Sequence, residues 1–318
     1  MKAMAFNEFG GNEKLHSADV PIPEPKIGEV QIKTTYAGVN PVDWKICEGW
    51  LKNMLKTEFP VIPGWDVAGI VSKVGEGVAE FKEGDKVYSY CRHPDLVHMG
   101  TYAEYICCAA DAVALAPRSL SLKEAASIPL VALTAWQSLF GDTAIKPGQS
   151  ILIHAGAGGV GSVAIQLAKW AGAKVYTTAS AKNHDYVKQL GADVAIDYHN
   201  EKIEEVMAKY EPKGFDFVYD CVGNQVFDQS LHYVKKGGTL VTICKFVIEE
   251  SLESEHGIRI RFVFVEPNGQ ELSEISRLFD EGALSAPQLT EFPLEEAAKA
   301  WDQLRTEHTR GKIVLKIS

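Results

Sequence analysis

Length, composition and charge place the chain among globular proteins and exclude several classes. Its 318 residues are enough for two domains. A composition of 46% hydrophobic and 23% charged residues excludes disordered and fibrous chains. The net charge of −10 disfavours nonspecific attraction to nucleic acid or anionic lipid. The N-terminus lacks a signal-peptide core, and no apolar stretch is long enough to span a membrane. We therefore expect a cytoplasmic protein with no membrane or nucleic-acid partner.

Cysteine usage predicts thiols rather than disulfides. The six cysteines contain no CxxC pair and lie among apolar neighbours, at positions 47, 91, 107, 108, 221 and 244. Buried thiols in a reducing compartment have this pattern. No disulfide is expected.

The first part of the chain, to about residue 118, reads as β-rich. The runs VQIKTTYAGV, DVAGIVSKVG, DKVYSY and TYAEYICC are β-branched or aromatic and are separated by Gly and Pro. From Ser121 the composition changes, and LKEAASIPLVALTAWQSLF favours helices. The sequence thus predicts a β domain, followed by a helix-rich segment that leads into the next part of the chain.

A strand, a glycine turn and a helix start follow one another in SILIHAGAGGVG, residues 150–161. Gly156, Gly158 and Gly161 fit the GxGxxG spacing, in which glycines allow a tight turn, close approach of a pyrophosphate and close packing of helix on strand. Gly159 and Val160 begin the helix, whose N-terminal N–H groups favour phosphate. Because GxGxxG alone is weak evidence, the flanking strand KVYTT at 174–178 matters: it completes a βαβ unit.

Alternation of strands and helices continues to about residue 244. Helices are predicted at 182–190, 201–210 and 225–233, and strands at 194–198, 215–220 and 239–244. Repeated βα units predict a doubly wound parallel sheet of the Rossmann type. The tail returns to mixed structure, with a strand at 259–265, helices near 270–281 and 294–306 and a last strand at 312–317. We predict a dinucleotide-binding domain at 121–261 inserted into a domain built from 1–120 and 262–318.

These segments resemble the medium-chain dehydrogenase/reductases, specifically the zinc-independent quinone oxidoreductase and enone reductase branch. The resemblance spans the chain through AGVNPVDWK, GWDVAGIVSKVGEGV, HAGAGGVGSVAIQLAK, GADVAIDY and GKIVLKI. It implies a GroES-like β-barrel catalytic domain, a Rossmann domain, an active site in the cleft between them, and a homodimer formed through the edge strand of the cofactor domain.

The metal positions of zinc-dependent relatives are altered in this sequence. Where those relatives carry Cys, His and Cys, this chain has Asn40, Trp65 and Leu130, and neither Trp nor Leu can coordinate zinc. The region of the structural zinc lobe holds Cys91, two histidines and the adjacent Cys107 and Cys108 at spacings that match no common zinc site. No metal is expected.

Cofactor choice depends on the segment after the second strand. An NAD-preferring fold has an acidic residue there, whereas TTASAKN contains none before Asp185. Ser180 and Lys182 can bind a 2′-phosphate, and Tyr198 matches a tyrosine that related reductases place beside it. For Lys182 alone, a solvated surface lysine is an equal alternative. The prediction is NADPH.

The nicotinamide end is predicted only by the resemblance. Thr134 matches a threonine near the nicotinamide in the wider family, with a helix hydroxyl bonded to its own chain as the alternative. By the same analogy, candidate lining residues follow or form strands of the sheet: Cys221, Cys244, Val263 and Phe264. Core packing would explain these four equally well.

The catalytic candidates lie in VNPVDWKICEGW. Lys45 matches a lysine that contacts cofactor and substrate in similar enone reductases, where quinone reductases have tyrosine; a surface helix lysine is the alternative. Asn40 is a second candidate, although Asn40 and Asp43 are also good helix-capping residues. Four aromatic residues near the implied substrate mouth could contact a flat substrate, although most are expected in the core: Trp44, Trp50, Trp65 and Tyr90. His154, at the end of a buried strand, is expected to be structural.

Three functions remain open at this point. The first is NADPH-dependent reduction of an α,β-unsaturated carbonyl (enone or enal) without metal. The second is NADPH-dependent quinone reduction, and the third is non-enzymatic NADPH binding, as in crystallin-like or RNA-binding relatives. The acidic charge and the absence of a basic patch count against RNA.

Overall fold

The computed structural model describes residues 1–142, 144–306 and 309–318 and divides into two compact units. The first unit comprises Met1–Leu133, Glu266–Gly282 and Ala286–Ser318; the second comprises Thr134–Val265 and Ala283–Ser285. The sequence placed the boundaries after residues 120 and 261. The first unit extends past residue 120 because the short helix Leu122–Ala125 packs on strands of that unit.

The first unit is mostly β-structure. Its N-terminal part consists of β1 (Lys2–Ala5), β2 (His16–Asp19), β3 (Glu29–Val39), α1 (Pro41–Cys47), β4 (Lys56–Thr57), β5 (Asp66–Val74), β6 (Lys86–Tyr90), β7 (Leu96–Val97), β8 (Tyr105–Ala109), β9 (Val113–Leu115) and α2 (Leu122–Ala125). Helix α3 (Pro129–Phe140) begins in this unit and ends in the second.

The second unit alternates strands and helices, as predicted. Its elements are β10 (Ser150–Ile153), α4 (Gly159–Trp170), β11 (Lys174–Thr178), α5 (His184–Gln189), β12 (Val194–Ile196), α6 (Ile203–Tyr210), β13 (Phe215–Asp220), α7 (Gln225–Ser230), β14 (Val234–Thr242), α8 (Ser251–His256) and β15 (Arg259–Phe262). The chain then completes the first unit with α9 (Gly269–Asp280), β16 (Leu289–Pro293), α10 (Ala297–Arg305) and β17 (Lys312–Lys316).

A seven-stranded sheet organises the first unit. Its order is β16-β17-β3-β5-β6-β9, with β8 also paired to β3, and all pairs are antiparallel except β16 with β17. Apolar residues of β3, β5, β6 and β8 form a buried cluster, which includes Val30, Ile32, Val67, Val87 and Ile106. This sheet brings the last strand beside β3, so residues near position 312 lie next to residues 36–39.

The second unit is a six-stranded parallel sheet in the order β12-β11-β10-β13-β14-β15. Numbered within the unit this is 3-2-1-4-5-6, the order of dinucleotide-binding folds, which confirms the predicted fold class. Residues Ile151, Leu152 and Ile153 of the central strand are fully buried, as expected for a sheet covered on both faces. Ligands bind such sheets at the carboxyl ends of the strands.

Several strand ends differ from the prediction, those of β14 and β12 among them. β14 begins at Val234, although a strand was predicted only from residue 239, and it runs through Gly237 and Gly238; pairing with β13, with a register shift near Phe215, extends it. β12 ends at Ile196, so Tyr198 lies in the loop beyond the strand.

The prediction that all six cysteines are thiols is wrong. Cys91, directly after β6, and Cys108, in β8, form a disulfide with a Cα–Cα distance of 5.5 Å. The spacing of 17 residues gave no sign of it because the two cysteines, on different strands, meet only in the folded unit.

Within the described part of the chain, none of the helices has the length and apolar character needed to cross a bilayer.

Candidate active site

The glycine turn has the shape that its sequence predicts. β10 ends at Ile153, Ala155 has a positive φ of 56°, and Gly158 is the N-cap of α4. The first N–H groups of a helix have no acceptor within the helix, so those at the start of α4 are available to an anion. The turn therefore presents backbone donors at the carboxyl end of the central strand.

Two of the glycines are required by packing alone. A Cβ on Gly156 would overlap Thr177 Oγ1 and lie 2.9 Å from Ile165 Cδ1, and a Cβ on Gly161 would overlap the carbonyl of Ala155. Gly158 differs, since a Cβ there would meet only the Ala155 carbonyl at 3.3 Å, so its surroundings are open. The turn thus fits a pyrophosphate, with Gly156 and Gly161 closing helix on strand and Gly158 leaving room for the ligand.

The residues predicted for a 2′-phosphate follow β11 and β12. Ser180 is half-buried and its Oγ accepts a hydrogen bond of 3.2 Å from Asn183 Nδ2, while Lys182 is exposed. Tyr198 is 50% exposed, with its ring centroid 4.2 Å from that of His199. Because β11 and β12 are adjacent and parallel, both loops leave the same edge of the sheet. Asn183 was not singled out from the sequence, and it orients the Ser180 hydroxyl.

Asp220 holds the loops that follow β13 and β14 at the carboxyl ends of these strands. Its buried carboxylate accepts N–H bonds from Val222 (2.9 Å) and Gly223 (2.8 Å), and a hydroxyl bond from Thr242 (2.8 Å). Sequence reasoning treated Asp220 only as a strand end. Its role is to fix the loops that carry Cys221 and Cys244.

The residues predicted at the nicotinamide end differ in accessibility. Cys221 is half-buried, and burial raises the pKa of its thiol well above the usual value, whereas Cys244 is exposed. Val263 and Phe264 are half-buried just beyond β15, and the Phe264 ring stacks on that of Phe262 with 6.5 Å between centroids. Thr134 is buried, and its carbonyl accepts a bond of 3.3 Å from the Tyr219 hydroxyl. These residues lie in or beside the second unit's strands, except Thr134, which is in α3.

His154 is held in the core as a neutral imidazole. Its Nε2 lies 3.0 Å from Ser230 Oγ, and that hydroxyl donates its own proton to the Val226 carbonyl at 2.6 Å. Nε2 must therefore carry the hydrogen and donate to Ser230. Burial lowers the pKa of His154 to about 4. The geometry supports the expected structural role.

In the first unit, a buried polar network surrounds the start of α1. Asn40 is the N-cap, is 1% exposed, and donates from Nδ2 to Asp66 Oδ2 at 2.8 Å. Its Oδ1 accepts a short bond of 2.5 Å from Lys312 Nζ. Both ends of the Asn40 side chain are therefore engaged inside the protein.

Asp43 caps the same helix from its third position. One carboxylate oxygen, Oδ2, accepts the Asn40 N–H at 2.8 Å and the Tyr102 hydroxyl at 2.8 Å, and Tyr102 in turn accepts from Trp301 Nε1 at 3.2 Å. The carboxyl is fully buried, and this burial raises the pKa of Asp43 to about 7. This is the capping role that the sequence favoured for Asp43.

Lys45 projects from α1 toward two indole rings. Its ammonium lies 5.5 Å from the Trp44 ring centroid and 5.3 Å from that of Trp50, and the two rings are perpendicular at 5.7 Å. Aromatic faces attract a cation at this range. Trp50 is 60% exposed and Lys45 is half-buried, so the ammonium is accessible.

The other two aromatic candidates belong to the core. Trp65 and Tyr90 are buried and pack edge to face with 5.9 Å between ring centroids. Of the four aromatic residues, Trp50 is the exposed one; Trp44 is half-buried, with the Arg305 guanidinium 4.1 Å from its ring centroid.

Comparison with known proteins places both units in one family. Residues 26–118 match the family model of the alcohol dehydrogenase GroES-like domain, and residues 190–315 match that of a zinc-binding dehydrogenase. The chain is 36% identical over 323 residues to an NADPH-dependent alkenal/one oxidoreductase of Arabidopsis thaliana, a match that covers 99% of this chain and 79% of the relative. The chain belongs to the medium-chain dehydrogenase/reductase family.

Other relatives point to the quinone oxidoreductase and alkenal/one oxidoreductase branch of this family. A chloroplast envelope quinone oxidoreductase homolog of Arabidopsis thaliana is 33% identical over 99% of this chain and 98% of its own length. The solved quinone oxidoreductase of Coxiella burnetii superposes with a TM-score of 0.88 at 36% identity, covering 100% of this chain and 99% of that one. The Escherichia coli quinone oxidoreductase solved with NADPH gives a TM-score of 0.88 at 28% identity, with both chains fully covered. The predicted family and branch are confirmed.

This medium-chain dehydrogenase/reductase uses the three altered metal positions for other purposes. Asn40 is part of the buried network, Trp65 is in the core, and the Leu130 N–H donates to Asp66 Oδ1 at 2.8 Å. In the described ranges, no three His, Cys, Asp or Glu side chains are grouped to share a metal ion.

Sequence reasoning missed Asp66, Tyr102 and Lys312, which this member of the family gathers around Asn40 and Asp43. One signal was available: Asp66 and Lys312 are charged residues that each begin a strand whose next residues are apolar and buried. Which partners they meet depends on pairing among β17, β3 and β5, which the sequence did not give.

Proposed function

We propose that this chain is an NADPH-dependent reductase that transfers hydride to the carbon–carbon double bond of an α,β-unsaturated carbonyl, an enone or enal, without a metal. The observation that carries the proposal is Lys45: an accessible ammonium between two indole rings, on the helix whose start carries asparagine where zinc-dependent relatives have a metal ligand. The 36% identity to an alkenal/one oxidoreductase supports it.

Residues of the second unit would hold the cofactor. The N–H groups at Gly159, Val160 and Gly161 would bind the pyrophosphate, with Gly156 and Gly158 shaping the turn. Ser180, Lys182 and Tyr198 would hold the 2′-phosphate, with no carboxylate among residues 179–184 to repel it. When bound, NADPH supplies the hydride. The remaining candidates for contacts at its nicotinamide end are Lys45, Thr134, Cys221, Cys244, Val263 and Phe264.

Lys45 would act as the electrophile, the role that the metal has in zinc-dependent relatives. Hydride addition at the β-carbon places negative charge on the carbonyl oxygen, and an ammonium within hydrogen-bonding reach of that oxygen stabilises this charge in the transition state. Solvent then delivers a proton to the α-carbon. Both indole rings lie near the ammonium, and since the Arg305 guanidinium lies on the Trp44 ring, Trp50 would supply the apolar surface for a conjugated substrate.

Asn40 acts in this proposal by positioning rather than by contact. It was predicted as a catalytic residue, but its amide is 1% exposed and hydrogen-bonded to Asp66 and Lys312. A donor engaged in this way is turned inward, and what it supports is the start of α1.

Quinone reduction is the second candidate. Relatives at 33% and 31% identity over 99% of this chain are named quinone oxidoreductase homologs. A quinone carbonyl would accept the same Lys45 contact. Non-enzymatic NADPH binding is the third function, which has to be distinguished from enone reduction and quinone reduction.

One assay separates the three functions. The protein is mixed with NADPH or NADH and a panel of enones, enals and quinones, and the loss of reduced nicotinamide absorbance is followed. We expect the highest kcat/KM with NADPH and an enone or enal. Faster turnover of quinones would establish the second function, and tight NADPH binding without turnover of any compound would establish non-enzymatic binding.

Substitution of Lys45 tests its proposed role. Lys45→Met keeps an unbranched side chain as far as Cε but removes the ammonium donor, and we expect kcat/KM for the enone to fall roughly 100-fold, as for loss of one oxyanion donor. Lys52→Met is the matched control, since Lys52 is an exposed lysine in the turn after α1. A loss of less than about threefold at Lys45, or an equal loss in the control, would refute the role.

We also propose that the protein is a cytoplasmic homodimer with no nucleic-acid or membrane partner. The net charge of −10 supports the absence of nonspecific binding to nucleic acid, and β15 ends the sheet order of the second unit, where a second copy could add its own strand. Several relatives are named chloroplastic, so location is tested by imaging a tagged full-length chain. Light scattering at assay concentration tests the dimer, and a monomer mass would refute it.

A further inference from the structure

Lys312 is a buried cation next to the residues that lead into α1. It lies at the start of β17 and is 4% exposed. Its Nζ donates to the carbonyl of Val39 at 3.0 Å and to Asn40 Oδ1 at 2.5 Å. The ammonium thus binds the last residue of β3 and the N-cap of α1.

Asp66 completes the network from the opposite side. Its Oδ2 lies 3.7 Å from Lys312 Nζ and accepts Asn40 Nδ2 at 2.8 Å, while its Oδ1 accepts the Leu130 N–H at 2.8 Å. Through two side chains, β17, β5, the start of α1 and the start of α3 are joined at one point inside the first unit.

Stability alone does not account for this arrangement. Burial lowers the pKa of Lys312 and raises the pKa of Asp66, so loss of water disfavours each charged form, while the partner charge and, for Asp66, hydrogen bonds from Asn40 and Leu130 favour it. A buried ion pair replaced by apolar residues of similar volume is often neutral or stabilising. What the pair does provide is a fixed backbone orientation, because the hydrogen bonds of Lys312 to Val39 and Asn40 set where the backbone turns into the helix.

The helix start determines where Lys45 lies. α1 is only seven residues long, Pro41–Cys47, and Lys45 is in its last turn. A short helix has no length over which an error at its first residue could be corrected, so a displacement at Asn40 is passed on to Lys45. A displacement on the order of 1 Å at a reacting group can cost about 100-fold in rate.

We propose that Lys312 is a positioning residue for the reduction: from the last strand of the chain, its ammonium holds Val39 and Asn40 so that α1 places Lys45 against the substrate carbonyl. The inference rests on the proposed role of Lys45. It extends that role to two residues, Lys312 and Asp66, that touch neither substrate nor cofactor.

The test separates position from stability with a charge-free pair. D66N/K312M removes both buried charges together, so no unpaired charge is left, and we expect its melting temperature to stay within about 4 °C of the wild type. The value of kcat with NADPH and an enone is expected to fall about tenfold or more, with the Kd for NADPH unchanged. Lys316→Met, the same substitution at an exposed site on the same strand, is the control and should keep full kcat.

Combining the pair of substitutions with K45M shows whether the loss of kcat in D66N/K312M depends on Lys45. In the triple variant K45M/D66N/K312M, kcat should equal that of K45M alone, since there is no ammonium left to misplace. A further tenfold loss in the triple variant, or wild-type kcat in D66N/K312M, would overturn the positioning role while leaving Lys45 itself in place. Wild-type kcat in K45M would instead refute the proposed function at Lys45, and the positioning role with it.

The isosteric single variant D66N covers the case in which D66N/K312M does not fold. It keeps one acceptor oxygen for the Leu130 N–H, but it removes the charge beside Lys312 and replaces Oδ2 with an amide donor that faces Asn40 Nδ2. We expect a smaller fall in kcat that again disappears in the K45M background. Unchanged kcat in D66N would overturn the proposal.

Discussion

The glycine turn of the second unit and the start of α1 in the first unit are both helix N-termini, but they are built in opposite ways. At the glycine turn, side chains are missing, and backbone N–H groups are left to face a ligand. At α1, side chains are abundant: Asn40, Asp43, Asp66 and Lys312 fill the space with hydrogen bonds and a buried ion pair. A helix N-terminus can therefore leave its N–H groups free for a ligand or be held by buried side chains, depending on what surrounds it.

The two constructions respond differently to substitution. The glycine turn is limited by space, so any added atom matters whatever its chemistry. The α1 start is limited by charge and hydrogen bonding, so isosteric changes that add no volume are the informative ones there.

The largest effect is expected from one added methyl group at Gly161. Gly161→Ala places a Cβ against the Ala155 carbonyl and 2.8 Å from Gly156 Cα, so α4 must move away from β10. We expect both a lower melting temperature and a loss of NADPH affinity of more than about 100-fold, measured by thermal unfolding and fluorescence titration.

Gly158→Ala is the comparison for this effect. Its Cβ meets only one atom, at 3.3 Å, so the melting temperature should change little while NADPH affinity falls. If Gly161→Ala kept the wild-type melting temperature, close packing at this glycine would be ruled out as the reason for it.

The second effect concerns pH and the buried carboxyl of Asp43. Burial raises its pKa from 3.8 to about 7, so between roughly pH 4 and 7 the folded protein keeps a proton that the unfolded chain has lost. This group therefore favours folding least above pH 7, and its contribution to the free energy of unfolding decreases as pH rises. Asp43→Asn should remove that decrease, which is on the order of 4 kcal/mol.

Urea unfolding of wild type and Asp43→Asn at several values between pH 4 and 8 measures this contribution. The depressed pKa of His154, about 4, acts in the opposite direction below pH 6.5, but it is common to both proteins and cancels in the difference. Asp111→Asn, at an exposed aspartate, is the control and should leave the wild-type pH dependence intact. Parallel curves for wild type and Asp43→Asn would mean that Asp43 is ionised throughout.

The smallest effect is expected in the loop after β11, which is proposed to select NADPH over NADH. Ser180→Asp places a negative charge beside the proposed 2′-phosphate, and we expect about tenfold weaker NADPH binding with NADH binding unchanged. Ser254→Asp, on α8 of the same unit, controls for the added charge. Equal affinity of Ser180→Asp and wild type for NADPH would show that the phosphate lies elsewhere.

Local sequence patterns predicted the second unit well. β11 and β13 lie at the predicted residues, and the parallel order follows from the βα alternation. The errors were a missed helix, α8, and several strand ends that depend on pairing: β14 is extended by its neighbour through two glycines, and β12 stops short of Tyr198. Pairing depends on the partner strand, which a single segment does not contain.

The first unit was predicted less completely. Its β-rich character and the capping residues of α1 were predicted, but the Cys91–Cys108 disulfide was not, since both partners meet only through the folded sheet. The same reason applies to Tyr102, which reaches Asp43 across 59 positions of the sequence.

By itself, the sequence determined the cofactor turn, the fold of the second unit and the family, because these depend on residues within a few positions of one another. Glycine spacing, strand composition and the acid-free segment after β11 all act locally. Only the tertiary structure decided the surroundings of α1. Lys312 and Asn40 are 272 positions apart, and their contact exists because β17 pairs with β3. Buried charges are stable only beside their partners, and those partners are set by the complete sheet rather than by any one stretch of the chain.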